Sequence, residues 1–348
     1  MGYSPPEGDK IKAQMSATAR LLASIMIVGL LPTASRAQMT EVKMGLAFVS
    51  ARATSLWVAE REGYFRKHGI DLKLLQVRGG TQGAQALLSG GIDMSFADPA
   101  STISAVAAGA ELIEVMAITT IMPYYLVGAP GVKSVAALKG KRVASSGMGL
   151  SSSRLALLVA FPRLGLDPAR DNITLVGAGA EPERVAALAS GAIAATVLAP
   201  EFRSRIDQLG LNILADLRAL NIAWEHDAVV TSRKTLQTRR DMVERVVKAL
   251  LEGNAFVLNP ANRASVLELL RTRLGLKSRE DANGAYEELV RYYVLRKPYP
   301  SREGIMSIAA EIAKFVPSAS RLRFEDLADQ SIVERLDRSG FIDNLYKK

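Results

Sequence analysis

The chain has 348 residues, about half of them apolar, with 44 basic against 35 acidic side chains and two histidines. That length accommodates two ordinary globular domains, each with a core of its own. Cysteine is absent, which excludes disulfides, thiolate metal sites, thiol nucleophiles and a lipid-modified N-terminal cysteine, and two histidines leave little for a metal centre. At the N-terminus, Lys10, Lys12 and Arg20 precede an apolar run over residues 21–31. Pro32 and small residues follow, with Ser35 and Ala37 at the positions a signal peptidase reads. Residues 1–37 are therefore predicted to be a signal peptide cleaved near Ala37, for which Met15 is the more ordinary start. No later stretch reaches the ~18 consecutive apolar residues of a membrane-spanning helix. The expected product is a soluble periplasmic protein with 40 basic and 33 acidic side chains, a net charge of +7. Its basic residues are interspersed with acids, as in RSRIDQ and RRDMVERVVK, without aromatic interleaving, so no nucleic-acid partner is expected.

From Glu41 apolar strands alternate with amphipathic helices. EVKMGLAFV reads as a strand, TSLWVAEREGYFRKHG as one helix with Trp57, Val58, Tyr64 and Phe65 on a single face, and IDLKLLQV as a second strand. His68, before Gly69, reads as a solvated helix-end residue. The segment ALLSGGIDMSFADP at 86–99 then recurs as ALASGAIAATVLAP at 187–200, six of fourteen positions identical at a constant offset of 101. Each copy reads as a helix end closed by glycine, a buried strand and a proline. Strand, helix and strand in this order cross over to lie parallel, so two copies predict two doubly wound α/β sheets. Ligands of such sheets bind beyond the carboxyl ends of the strands, where both copies break.

LIEVMAITTIMPYYLVGAP reads as an extended segment crossing a hinge, and ALKGKRVAS as the first strand of the second lobe. SGMGLSSSRLALL opens a helix whose N-cap lies within Ser151–Ser153, leaving N–H groups that attract anions. HDAVVTS is one more strand, and the rest is mostly helical. The predicted architecture is α/β, two doubly wound lobes joined by a two-strand hinge. Residues 38–126 start lobe 1, 127–226 form lobe 2, and 227–348 return to lobe 1 and supply the C-terminal helices.

Three stretches, LWVAEREGYFRKHGIDLKLLQVRGGTQGAQALLSGGIDMSFAD, LKGKRVASSGMGLSSS and VAALASGAIAATVL, together resemble the periplasmic substrate-binding proteins of ABC importers. The branch resembled is the NMT1/THI5-like one, for nitrate, sulfonates, taurine and thiamine-precursor pyrimidines. The resemblance implies a type II periplasmic-binding-protein fold, a Venus flytrap that takes a small ligand between its lobes. It further implies an ABC permease in the inner membrane as partner, a monomer and no cofactor. Carried over by position, the contacts fall on loops 48–54, 79–82, 98–101, 147–153, 177–181 and 200–203. The candidate residues are Phe48, Ser50, Arg52, Thr54, Arg78, Gly80, Thr81, Asp98, Ser101, Gly147, Ser151, Ser152, Ser153, Gly179 and Glu201, with Trp224 lining the rim. Asp93, replaced by Ala194 in the second copy, reads as structural.

Arg52, Arg78, Arg203 and the serine-rich helix start point to a small organic anion, a sulfonate or carboxylate. The alternative is a neutral pyrimidine stacked on Phe48, Tyr124 and Trp224. The same fold hosts a pyrimidine-synthesising enzyme that uses its own histidine and a cysteine-rich iron motif. This chain has no cysteine, Glu111 and Glu114 flank an apolar strand, and no Ser, His and Asp set can be assembled, so no enzymatic activity is expected. A periplasmic ligand sensor is the third reading.

Overall fold

The computed structural model describes residues 1–2, 39–47, 49–77 and 79–347. The signal-peptide cleavage region and two candidate contacts, Phe48 and Arg78, lie outside the described residues. Residues 39–348 belong to one unit, built on two five-stranded sheets. The first contains β1 (Thr40–Leu46), β2 (Ile70–Gln76), β3 (Met94–Ala97), β4 (Leu112–Thr119) and β10 (Asp227–Ser232), in the order β2-β1-β3-β10-β4. The second contains β5 (Tyr125–Gly128), β6 (Arg142–Ser145), β7 (Thr174–Gly177), β8 (Ala195–Leu198) and β9 (Asn212–Asp216), in the order β7-β6-β8-β5-β9.

The duplicated sequence supplies β3 and β8, which take the same third place in their sheets. In both sheets the first three strands run parallel, as the crossover pattern requires, and the fourth runs antiparallel. That fourth strand arrives from the other sheet. β5 follows β4 through residues 120–124, and β10 follows β9 through residues 217–226. β5 lies within the segment expected to be only an extended crossing, so it, and not β6, is the first strand of the second sheet.

The expected single helix after β1 is two, Thr54–Arg61 and Tyr64–Lys67, because Gly63 between them takes a left-handed φ of 75°. Trp57, Val58 and Phe65 are nevertheless buried together. His68 does end the second helix, but it is not solvated. Its Nε2 lies 3.0 Å from Glu252 Oε1, which also accepts from Lys67 Nζ at 2.9 Å. Asp93 ties the start of β3 to its neighbours by accepting from Lys43 N at 2.8 Å and by pairing with Arg239.

One face of the first sheet buries Val42, Met44, Phe96 and Val229 against the helices Arg240–Leu258 and Arg263–Leu274. Its other face packs Leu112 and Val230 on the helix Gly79–Leu88. A further cluster joins elements beside both sheets. Ile103 of Pro99–Ala107, Leu155 and Phe161 of Ser152–Arg163, and Ile305 and Ile308 of Arg302–Ala313 share it with Met122, Tyr124 and Trp224 of the two crossings.

The second crossing also carries an acid. Glu225 is fully buried and accepts from Ser301 N at 2.5 Å, and its carboxyl group faces that of buried Glu114 on β4. Burial raises Glu225 to about 7 against the pull of its hydrogen bonds, and burial with the charge of Glu225 pushes Glu114 well above the usual carboxylate range. Asp227 is the other charge that acts on the pair. An acid whose folded pKa is raised favours folding below its unfolded value near 4.5 and loses that contribution as pH climbs to about 7. Wild type should therefore lose more urea midpoint between about pH 5 and about pH 7.5 than Glu114→Gln, which cannot share the proton. Parallel pH profiles for the two proteins would show that the pair does not titrate in this window.

Candidate functional site

The carboxyl ends of the parallel strands of both sheets meet across one junction. β1 ends in Leu46 and runs through a short loop into the turn Ala51–Ala53, which Ser50 caps by accepting from Arg52 N at 3.2 Å. Thr54 Oγ1 closes the turn by donating to Ala51 O at 2.5 Å. So held, Arg52 is only 6% exposed. Its Nε donates to Asp227 Oδ2 at 2.5 Å, and Asp227 is the first residue of β10. Its Nη1 reaches towards Glu201 Oε1 of the other lobe, 3.6 Å away. The guanidinium sits 5.9 Å from the ring centroid of Tyr293, which ends a π-helical turn over Leu289–Tyr293.

Asp98 follows β3 and caps the helix Pro99–Ala107, accepting from Ser101 N at 2.9 Å and Ser101 Oγ at 3.0 Å. It also accepts from Ser152 Oγ at 3.0 Å, at the first turn of the helix Ser152–Arg163 in the second lobe. Gly80 is there because a Cβ would stand 2.2 Å from Asp98 Oδ2. Asp98 and Glu201 thus make two polar links between lobes, one through a hydroxyl and one through a guanidinium, and Arg218 with Glu288 and Ser204 with Asp281 make others.

Burial sets the charge states. Burial works to lower the Arg52 pKa, but Asp227 and Glu201 outweigh it and hold the guanidinium charged. Burial raises Asp227 to about 6 against the opposing charge of Arg52. Burial also raises Asp98 and Glu201, partly offset by the hydrogen bonds of Ser101 and Ser152 in the first and by Arg52 in the second. His226, beside Asp227, is driven well below its ordinary value by burial and by Arg52, and therefore stays neutral. Its ring meets Tyr124 edge-on at 5.0 Å. The hollow beside Arg52, bounded by Phe96, Asn254 and Tyr293, is about 10 Å³. That hollow lies within the first lobe and admits one water and no organic ligand.

Of the residues expected from sequence, Arg52, Gly80, Asp98, Ser101, Ser152 and Glu201 are brought together. Ser50 and Thr54 serve the Arg52 turn itself. Thr81 is exposed on the helix Gly79–Leu88. Ser151 and Ser153 bind Ser146 at the end of β6, at 2.9 Å from its Oγ and N respectively. Gly147 is half-buried in that loop, and Gly179 is exposed with a φ of 80°. Trp224 is not on a rim: it is 1% exposed, inside the cluster that joins the lobes. Arg203 does not face the junction either, being exposed and paired with Asp207 at 2.8 Å one helical turn on. Asp227, Tyr293 and His226 are additions that sequence reasoning missed. The signal available was the polar run Glu225–His226–Asp227 directly ahead of an apolar strand.

A two-lobed α/β protein with its polar residues gathered where the strand ends of both lobes face each other is built as a solute-binding protein. The profile of the NMT1/THI5-like family matches residues 50–264, and the chain belongs to that family. No curated protein sequence matches it. Among solved structures it is similar to a Bordetella bronchiseptica RB50 protein, with 17% identity over 86% of this chain and 97% of the other, at a TM-score of 0.72. It is similar also to the alkanesulfonate-binding protein SsuA of Xanthomonas axonopodis pv. citri bound to MOPS, with 21% identity over 83% and 98%, at 0.68. The periplasmic nitrate-binding protein NrtA of Synechocystis PCC 6803 is a third, with 13% identity over 87% and 89%, at 0.67. At these identities the likeness is one of fold.

Truncating Arg52 strands two buried carboxylates. Arg52→Ala should lower folding stability by about 3–5 kcal/mol, the usual consequence of removing one partner of a buried ion pair, read by urea denaturation at neutral pH. A loss under about 1 kcal/mol would place Arg52 in solvent.

Proposed function

We propose that this protein is an extracytoplasmic solute-binding protein, without enzymatic activity, that captures a small organic ligand between two lobes and delivers it to an ABC permease in the inner membrane. The observation that carries this reading is the pair of polar links across the lobe junction, Arg52 to Glu201 at 3.6 Å and Ser152 to Asp98 at 3.0 Å. Both link side chains that follow the ends of parallel strands, and both must part for the two lobes to move away from each other. The bodies proposed to move are residues 38–126 with 227–348, and residues 127–226, turning on the segments 120–124 and 217–226. The protein is proposed to act as a monomer in the periplasm, and no described helix is long and apolar enough to cross a membrane.

The ligand class expected from sequence was an anion. Of its four supports, Arg203 faces solvent, Arg78 lies outside the described residues, Arg52 is engaged by carboxylates, and Ser152 Oγ is given to Asp98.

A ligand that touches both lobes shifts the population towards the closed form. Small-angle scattering on the purified protein should show a smaller radius of gyration once a ligand shown to bind by calorimetry is added. An unchanged radius replaces closure with binding to a rigid surface. Protein recovered from the periplasm should begin near residue 38 by N-terminal sequencing. A product that still starts at Met1 or Met15 would remove the assigned location.

A further inference from the structure

We infer that the ligand presents a cationic or amidine-like nitrogen to the junction, with Glu201 as its principal acceptor and Asp227 and Tyr293 beside it. This inference deepens the solute-binding reading and rests on it.

Charge is the first ground. Among the described residues at the junction, Asp98, Glu201 and Asp227 gather around the single guanidinium of Arg52. Arg184 is buried, donating to Val197 O at 2.5 Å and lying 3.9 Å from Glu181, and Arg218, which acts on Tyr293, is paired with Asp216 and Glu288. Asp227 takes the Arg52 Nε–H, so the nearer half of that charge is already answered. Among the described residues this part of the junction thus carries three carboxyl groups and one guanidinium, and a cationic ligand favours the ionised form of those carboxyl groups.

Unmet hydrogen bonding is the second ground, and it is independent of charge. The Glu201 side chain is only 8% exposed, yet neither carboxylate oxygen closes a hydrogen bond. The N–H groups of Glu201 and of Ala51 across the junction point towards it but fall short of bonding geometry. Arg52 stands at 3.6 Å, beyond a charge-assisted hydrogen bond. The Tyr293 hydroxyl, with the residue 1% exposed, is likewise without a partner. A buried carboxylate lacking donors is costly, and a ligand N–H group supplies what it lacks. Three of the junction's donors are committed elsewhere. Ser101 N, Ser101 Oγ and Ser152 Oγ all serve Asp98.

Aromatic faces are the third. Tyr293 already lies under a guanidinium at 5.9 Å, and Tyr124 is buried beside His226. A planar amidinium can bond to Glu201 through two N–H groups while its face meets such a ring.

The probes are benzamidinium and butylammonium chlorides against sodium benzoate and sodium butanesulfonate, titrated into the full protein at one ionic strength near pH 6. Calorimetry in two buffers of different ionisation enthalpy reads both affinity and protons. At least one cation should bind, release a proton as Asp227, raised to about 6, ionises, and lose about tenfold or more in affinity in Glu201→Gln. Arg52, Asp98 and Glu201 act on Asp227, which in turn acts on Tyr124 and Glu225. Glu201→Asp should retain part of the binding, and the melting temperature of each free variant confirms folding. Binding of an anion with proton uptake, no binding by any of the four, or cation binding unchanged in Glu201→Gln would each overturn the inference. The first of these outcomes leaves the solute-binding reading intact. Cation binding that depends on Glu201 without compaction in scattering supports the inference and fails the closure model instead.

Discussion

Everything in this fold depends on an exchange of strands. Each sheet has four parallel strands of its own and, between the third and the last in spatial order, one antiparallel strand that the chain enters on arriving from the other sheet. The second sheet is opened by the first crossing, through β5, and the first sheet is finished only by the second, through β10. The crossings therefore cannot be loose linkers, and their residues are among the most buried in the molecule. Met122, Tyr124 and Trp224 join the apolar cluster, while Glu225, His226 and Asp227 carry polar atoms inside it. A loop would hydrate these polar groups. Here they are dehydrated, and their pKa values move accordingly.

The exchange also positions the site. Because β10 runs antiparallel to β3, its first residue lies at the carboxyl end of the parallel strands, and that residue is Asp227. The carboxylate is thereby delivered to Arg52, which the turn after β1 has aimed at the same place. A buried pair of this kind contributes little net stability, since desolvation cancels most of the attraction. Its physical effect is to fix where the guanidinium points and to leave Glu201, on the opposite lobe, as the partner at longer range. The lobes are then held by contacts weak enough to part and polar enough to be rebuilt around a ligand.

Much of the scaffold was legible in the sequence because it is periodic. The repeat at an offset of 101 located β3 and β8, and the glycine and proline that bracket each copy marked the helix end and the break after the strand. Boundaries failed where one residue overrides periodicity, as Gly63 does by splitting a continuous apolar face into two helices. β5 was misread because a short strand of four residues between prolines carries almost no pattern of its own, and its pairing with β8 and β9 is wholly non-local. The site was half legible. Residues close after a strand, such as Arg52, Asp98 and Glu201, follow from topology alone. Tyr293 comes from a helix far along the chain, and its arrival depends on a π-helical turn that no local signal announces. Arg203 was misplaced because an arginine four residues before an aspartate on a helix satisfies itself locally, without turning to the cleft.

The two copies of the repeat diverge where they approach the junction, and the divergence is informative. In the first copy the residue before the proline is Asp98, which spends its carboxylate capping the helix that follows and binding Ser152. In the second that place is taken by Ala199, whose N–H is instead bound by Glu181 at 2.6 Å. One residue after the proline the roles reverse, for Ala100 is fully buried in its helix while the second copy has Glu201. Each lobe therefore contributes one carboxylate, displaced along the chain by two residues relative to its counterpart. The displacement matters because Asp98 has three donors and Glu201 closes a hydrogen bond with none. A duplicated scaffold has kept the acid that builds the junction in one half and moved it, in the other, to where no described residue completes its hydrogen bonds.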